Sequence, residues 1–160
     1  MKRIVLPSVI VVIALFLAAC GNSAPAAQAS PQAAPTTASA TQSGSTSGGV
    51  TEVDVTLADN TITSSLTAFK VGEPYKFVIL NNGHHAHNFN IAPPVSVSGS
   101  LDTSLAQALL AVKQDKLPVG GGTTVEFTFP DSAVGQQLEF SCLIPRHYED
   151  GMKLAISVTN

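Results

Sequence analysis

Short runs in which apolar and polar residues alternate fill the chain downstream of Val50, and the texture upstream is different. Val53, Val55 and Leu57 alternate with polar neighbours, the period of a strand buried on one face. Thr67 to Val71 and Tyr75 to Leu80 predict two further strands, the second ended by the turn signal Asn81-Asn82-Gly83. His87 to Ile91 predicts a fourth, stopped by Pro93-Pro94. Thr123 to Phe129 alternates cleanly, with Val125, Phe127 and Phe129 on one face. Leu138 to Cys142 and Leu154 to Val158 complete the set. Short strands punctuated by Gly and Pro predict an all-β sandwich or barrel. One stretch departs from this pattern. Asp102 or Thr103 can cap a helix running to about Gln114, with Leu105, Leu109 and Val112 on one stripe and Pro118 beyond its end. The folded part is therefore placed at residues 50–160, enough chain for a two-sheet core with one helical insertion.

The upstream third reads as two segments. Lys2 and Arg3 precede an apolar run from Ile4 to Leu17, broken by Pro7. That run is short for a spanning helix, which needs about 20 apolar residues, and has the layout of an export signal over residues 1–19. It ends in Leu17-Ala18-Ala19-Cys20, which resembles the lipobox of bacterial lipoproteins. The resemblance implies lipidation of Cys20. An uncleaved anchor helix is the alternative, and either places the rest outside the cytoplasm on a membrane. Residues 21–49 are Ala, Pro, Ser, Thr, Gln and Gly almost throughout, without charge. Such a tract buries too little apolar surface to offset its ordering entropy and reads as a disordered linker. As a flexible coil it spans about 30 Å r.m.s..

Charge narrows the partners. The chain has 8 Lys+Arg and 11 Asp+Glu, and two of the cations, Lys2 and Arg3, belong to the leader. What remains is acidic and has no basic patch, so nucleic acid is not an expected partner. Gly120-Gly121-Gly122 is followed by no Lys-Ser/Thr pair, so it reads as a turn and not a phosphate loop. No Ser-His-Asp or paired-carboxylate arrangement stands out, and no enzyme activity is expected. The cysteine count is more telling. With Cys20 given to lipid, Cys142 has no cysteine to pair with, and a bare thiol outside the cytoplasm is open to oxidation. A buried position or a metal would protect it.

The residues that follow favour a metal. Cys142, His147 and Met152 occur with four residues between each pair. The cysteine ends one predicted strand and the methionine begins another, so the intervening loop can bring the three side chains together. Thiolate, imidazole and thioether are soft or intermediate donors, and two histidines with a cysteine and a long axial methionine form a blue-copper site. The second histidine must come from His84, His85 or His87. Strand parity with Phe89 and Ile91 favours His85 and His87 and does not separate them.

His87-Asn88-Phe89 followed by Cys142-x4-His147-x4-Met152 resembles the cupredoxin family, in a spacing close to its auracyanin-type members. The resemblance covers about residues 50–160 and implies a Greek-key β-sandwich. It implies one type 1 copper ion held by His87, Cys142, His147 and Met152, with Asn88 bracing the ligand loops near the sulfur. It also implies a monomeric electron carrier, tethered by its lipid anchor. The expected redox partners are a membrane quinol-oxidising complex and a reaction centre or oxidase. A copper-delivery or storage lipoprotein is the alternative. One residue departs from the family pattern: Arg146 stands before the second histidine, where a small residue is usual. It suggests an acidic partner or a local ion pair with Glu149 or Asp150.

Overall fold

The computed structural model describes residues 45–47 and 49–160. The expected signal peptide, Cys20 and the linker up to residue 44 lie outside the described residues. Among the described residues ten strands, two short α-helices and two 3-10 turns follow one another. In chain order the strands are β1 (Ser45–Ser47), β2 (Val50–Ala58), β3 (Thr61–Ser64), β4 (Ala68–Lys70), β5 (Pro74–Asn81), β6 (Phe89–Ala92), β7 (Leu110–Val112), β8 (Gly122–Thr128), β9 (Leu138–Ser141) and β10 (Lys153–Thr159). The helices α1 (Val95–Ser98) and α2 (Leu101–Ala106) lie between β6 and β7. Because β1 pairs with β2, the first sheet begins inside the stretch expected as linker.

The strands form two sheets. One runs β1-β2-β5-β8, with β3 pairing the far half of β2 on the same side as β1. The other runs β4-β10-β9-β6-β7. Alternation in the sequence becomes burial between them. Val53, Val55 and Leu57 are buried from β2, and Tyr75, Phe77 and Ile79 from β5. Val53, Phe77 and Val125 lie side by side across three strands. Facing them from the second sheet are Phe69, Phe89, Ile91, Leu138, Phe140, Ile156 and Val158, all buried. The all-β sandwich expected from the pattern is the fold found.

The helix expected from Asp102 or Thr103 to Gln114 is not what forms. α2 stops at Ala106, and its cap is Ser100, whose side chain accepts from the Thr103 N–H. Of the apolar stripe that predicted the longer helix, Leu105 is exposed, while Leu109 and Val112 reach the core from outside any helix. Residues 110–112 instead form β7, which completes the ladder of β6. Ladder bonds and the burial of Val112 outweigh the weak helical preference of a short segment.

Strands β6 and β9 are buried at every position, which alternation did not signal. Their outer face is covered by the helical insertion and by Tyr148, in a small cluster of Ala92, Leu143 and Tyr148 joined by Val95, Leu101 and Ala108. Glu139 lies in this cover, 5% exposed, with Oε1 unpaired. Burial pushes its carboxyl above the ordinary value of 4.5, while a hydrogen bond from Tyr148 and the nearby Lys153 charge oppose the shift. A folded-state pKa above the unfolded one means that folding takes up a proton between the two values. The stability from this group is present below pH 4.5 and falls as pH rises towards the folded pKa. Glu139→Gln is therefore expected to raise the urea midpoint at pH 7 and to have little effect near pH 4. A lower midpoint at pH 7 would show that the charged group stabilises the fold.

Candidate metal centre

Hydrogen bonds shape the loop between β9 and β10 so that its ends meet. The Cys142 N–H donates to the Met152 carbonyl at 3.0 Å, which extends the β9–β10 pairing by one step. The Met152 N–H donates to the His147 carbonyl at 3.0 Å and the His147 N–H to the Ile144 carbonyl at 3.1 Å, so the loop is tightly coiled. Two residues in it have positive φ, Arg146 at 75° and Gly151 at 107°. Gly151 takes that conformation without a Cβ penalty. Arg146 takes it with backbone bonds on both sides: its N–H donates to the Glu149 carboxylate, and its carbonyl accepts from the Asp150 N–H. No ion pair forms at its guanidinium among the described residues, so the expected pairing with Glu149 or Asp150 is made by the backbone instead.

His87 arrives from the other side. Strand β6 begins at Phe89, so residues 84–88 are not extended strand and the parity argument does not apply to them. The chain path separates the candidates. His84 and His85 are exposed, and both ring Nδ1 atoms sit on the Asp59 carboxylate, at 2.8 and 3.3 Å. His87 is 1% exposed, and its N–H donates to the Leu117 carbonyl.

Three donor atoms converge. His87 Nδ1 lies 3.0 Å from His147 Nδ1, and Cys142 Sγ lies 3.9 and 3.6 Å from the two nitrogens. A point equidistant from all three is about 2 Å from each, close to the usual length of a metal–imidazole bond. The residues present therefore fit a small metal ion, and thiolate with two imidazoles is a donor set that suits copper. Met152 is fully buried in the same core cluster as Cys142. Asn88 Oδ1 accepts from the Leu143 N–H at 2.8 Å, tying the His87 segment to the residue after Cys142. The Asn88 side chain is held in turn by Asn90 Nδ2 at 2.8 Å.

The electrostatics suit metal binding. Burial pushes the Cys142 thiol above its usual pKa, while the N–H groups of Ile144 and Asn88 at its sulfur act in the opposite sense. Those two donors would face a thiolate sulfur once a metal displaces the proton. Burial lowers the pKa of His87, the nearby His147 ring adds to that, and Asp59 opposes it. His87 is held in the neutral, ligating form. Ile144 packs against the core cluster that holds Cys142, Leu143 is buried in the small outer cluster with Tyr148, and Pro145 is exposed. A cavity of about 280 Å³ opens over the ligand cluster, lined by Asp59, His85, His87, Pro145, Arg146, His147 and Asp150. His147 is partly exposed in its wall.

A two-sheet sandwich that brings one cysteine and two histidines together as donors is the architecture of a blue-copper protein. Residues 51–159 match the family of copper binding proteins of the plastocyanin/azurin type, and the chain belongs to that family. Its cofactor is one type 1 copper ion, and proteins of this class transfer electrons. Among solved structures, reduced auracyanin from Roseiflexus castenholzii is similar at 19% identity and a TM-score of 0.53, over 72% of this chain and all of that one. Auracyanin A from Chloroflexus aurantiacus is similar at 17% identity and a TM-score of 0.51, over 69% of this chain and all of that one. No curated protein matches the sequence.

Asp59 and Gly83 are the parts of this neighbourhood that sequence reasoning missed. Asp59 lies in the turn between β2 and β3, 28 positions before His87, and no spacing rule connects the two. A glycine after Asn81-Asn82 read only as a turn.

Proposed function

We propose that His87, Cys142, His147 and Met152 ligate the copper, and that the protein is a membrane-tethered single-electron carrier outside the cytoplasm. The observation that supports this most is the convergence of two imidazole nitrogens and one thiol sulfur within 3.0–3.9 Å of one another. Bound copper supplies a one-electron couple between Cu(I) and Cu(II). The chain's residues do the rest. The β9–β10 loop and the 81–88 segment hold the donors in place, so that little needs to move when the charge on the metal changes. Ile144, packed against the cluster that holds Cys142, keeps water from the sulfur. Asn88 holds the two ligand segments together. His147 is partly exposed in the cavity wall and offers the path by which an electron leaves. Arg146 beside it gives the docking face a cation, which suits an acidic patch on a partner. The partners are a quinol-oxidising complex on one side and a reaction centre or oxidase on the other, reached by a lipid on Cys20 and the uncharged linker.

Cyclic voltammetry of the purified, copper-loaded full chain tests this reading. A reversible one-electron couple is expected together with strong visible absorption. A colourless protein that yields its copper readily to a chelator would instead mark a copper-delivery or storage lipoprotein. For the anchor, Cys20→Ser is expected to shift the protein from the membrane fraction to the soluble fraction when the chain is exported.

A further inference from the structure

The Asp59 carboxylate is a hub for three histidines. Oδ2 meets His84 Nδ1 at 2.8 Å, and the His84 backbone N–H donates to Oδ1 at 3.0 Å. Oδ1 also faces His85 Nδ1 at 3.3 Å and His87 Nε2 at 3.5 Å. His87 Nε2 is buried and makes no hydrogen bond. An imidazole that presents the Nδ1 lone pair to a metal carries its proton on Nε2, and that proton needs an acceptor. Asp59 Oδ1 is the acceptor on this side of the ring.

The surroundings are built for the approach. A Cβ on Gly83 would lie 2.7 Å from both Asp59 Oδ1 and His87 Nε2, so only glycine leaves this gap open. Asn81 locks the turn that carries the glycine. Its Oδ1 accepts from the Gly83 N–H at 2.9 Å, and its Nδ2 donates to the carbonyls of His85, Leu117 and Pro118. The carboxylate is thus held from one side by His84 and His85, and His87 from the other by its own N–H.

We propose that Asp59 is the positioning residue of this copper site: it accepts the His87 Nε2 proton, aims Nδ1 at the metal, and sets a negative charge behind the ring that favours the oxidised ion. This rests on His87 being a ligand. The role is distinct from that of the cavity's other acid, Asp150, which makes no hydrogen bond or ion pair with His87 among the described residues.

The test compares the full chain with Asp59→Asn, Asp59→Ser and Asp150→Asn, each loaded with copper. Three quantities are read: the visible band, the midpoint potential, and Cu(II) affinity by chelator competition. Asn removes the charge and keeps an acceptor oxygen at the same reach, whereas Ser removes the charge and carries its hydroxyl oxygen one bond short of that position. Both Asp59 variants are expected to stay blue and to shift the potential upward, Ser further than Asn. Cu(II) affinity is expected to fall about 10- to 100-fold, the usual range for losing such an outer partner. Asp150→Asn is expected to shift the potential less. Unchanged potential and affinity in both Asp59 variants would overturn the proposal, as would an equal shift from Asp150→Asn. An unmodified protein with no blue band would fail earlier, at the ligand set, and so would refute the copper-site reading itself.

Discussion

Cys142→Ser is expected to abolish the intense visible band and to weaken copper binding by more than about 100-fold, a larger loss than an outer-sphere change produces. The band requires a thiolate bonded to copper, and Cys142 is the sole cysteine in the described domain. The same substitution should leave the apoprotein folded. The site is fully buried, but a serine hydroxyl can accept from the Asn88 and Ile144 N–H groups that now face the sulfur. Circular dichroism of the apo variant separates the two effects: native strand signal with no colour is the expected outcome. A variant that kept the colour would exclude Cys142 as a ligand, and one that lost the fold would show the thiol to be chiefly a packing element.

The second large effect falls far from the metal. Phe69→Ala is expected to cost about 3–5 kcal/mol, against a total stability of about 5–15 kcal/mol for a domain. Phe69 is 2% exposed and sits at the centre of an aromatic cluster. Its ring centroid lies 4.9 Å from that of Phe129, 5.1 Å from Tyr75, 5.7 Å from Phe140 and 5.9 Å from Phe77. It thus joins β4 to residues of both sheets. β4 is only three residues long and pairs with β10 along one side, so this ring is its main hold on the core. Thermal denaturation should show a midpoint lower by more than about 10 °C. Phe127→Ala, at a partly exposed position, is the comparison and should cost less. Equal losses would mean that the cluster around Phe69 collapses to fill the space.

Much of the fold was legible because sandwich strands write their burial into alternation. β2, β5 and β8 each have one face on the core and one outside, and each was readable. β1, β3 and β7 were not: β1 and β3 are almost all Ser and Thr, β7 lies inside the stretch that read as a helix, and each forms because a neighbouring strand offers a ladder. β6 and β9 were found as strands, but the burial of their polar outward positions, Asn90 and Glu139 among them, follows from the helical insertion folding over them.

The metal centre divides in the same way. The sequence by itself offered Cys142, His147 and Met152 as candidates together, because all three belong to one loop whose ends a single pair of strands brings together. It also determined the donor chemistry, since softness is a property of residue type and not of position. Only the tertiary structure brings the ring of His87, and not that of His85, into the cluster with Cys142 and His147. Two residues apart on a non-extended segment, they differ in where the chain turns inward, and that turn is set by Asn81 bonding to carbonyls 36 and 37 positions away. Only the tertiary structure brought Asp59 behind His87, because contacts between separate strands depend on how the sheet is assembled. The physical reason is range. Spacing within a loop is fixed by covalent geometry, while a meeting between distant segments exists only once the core has packed.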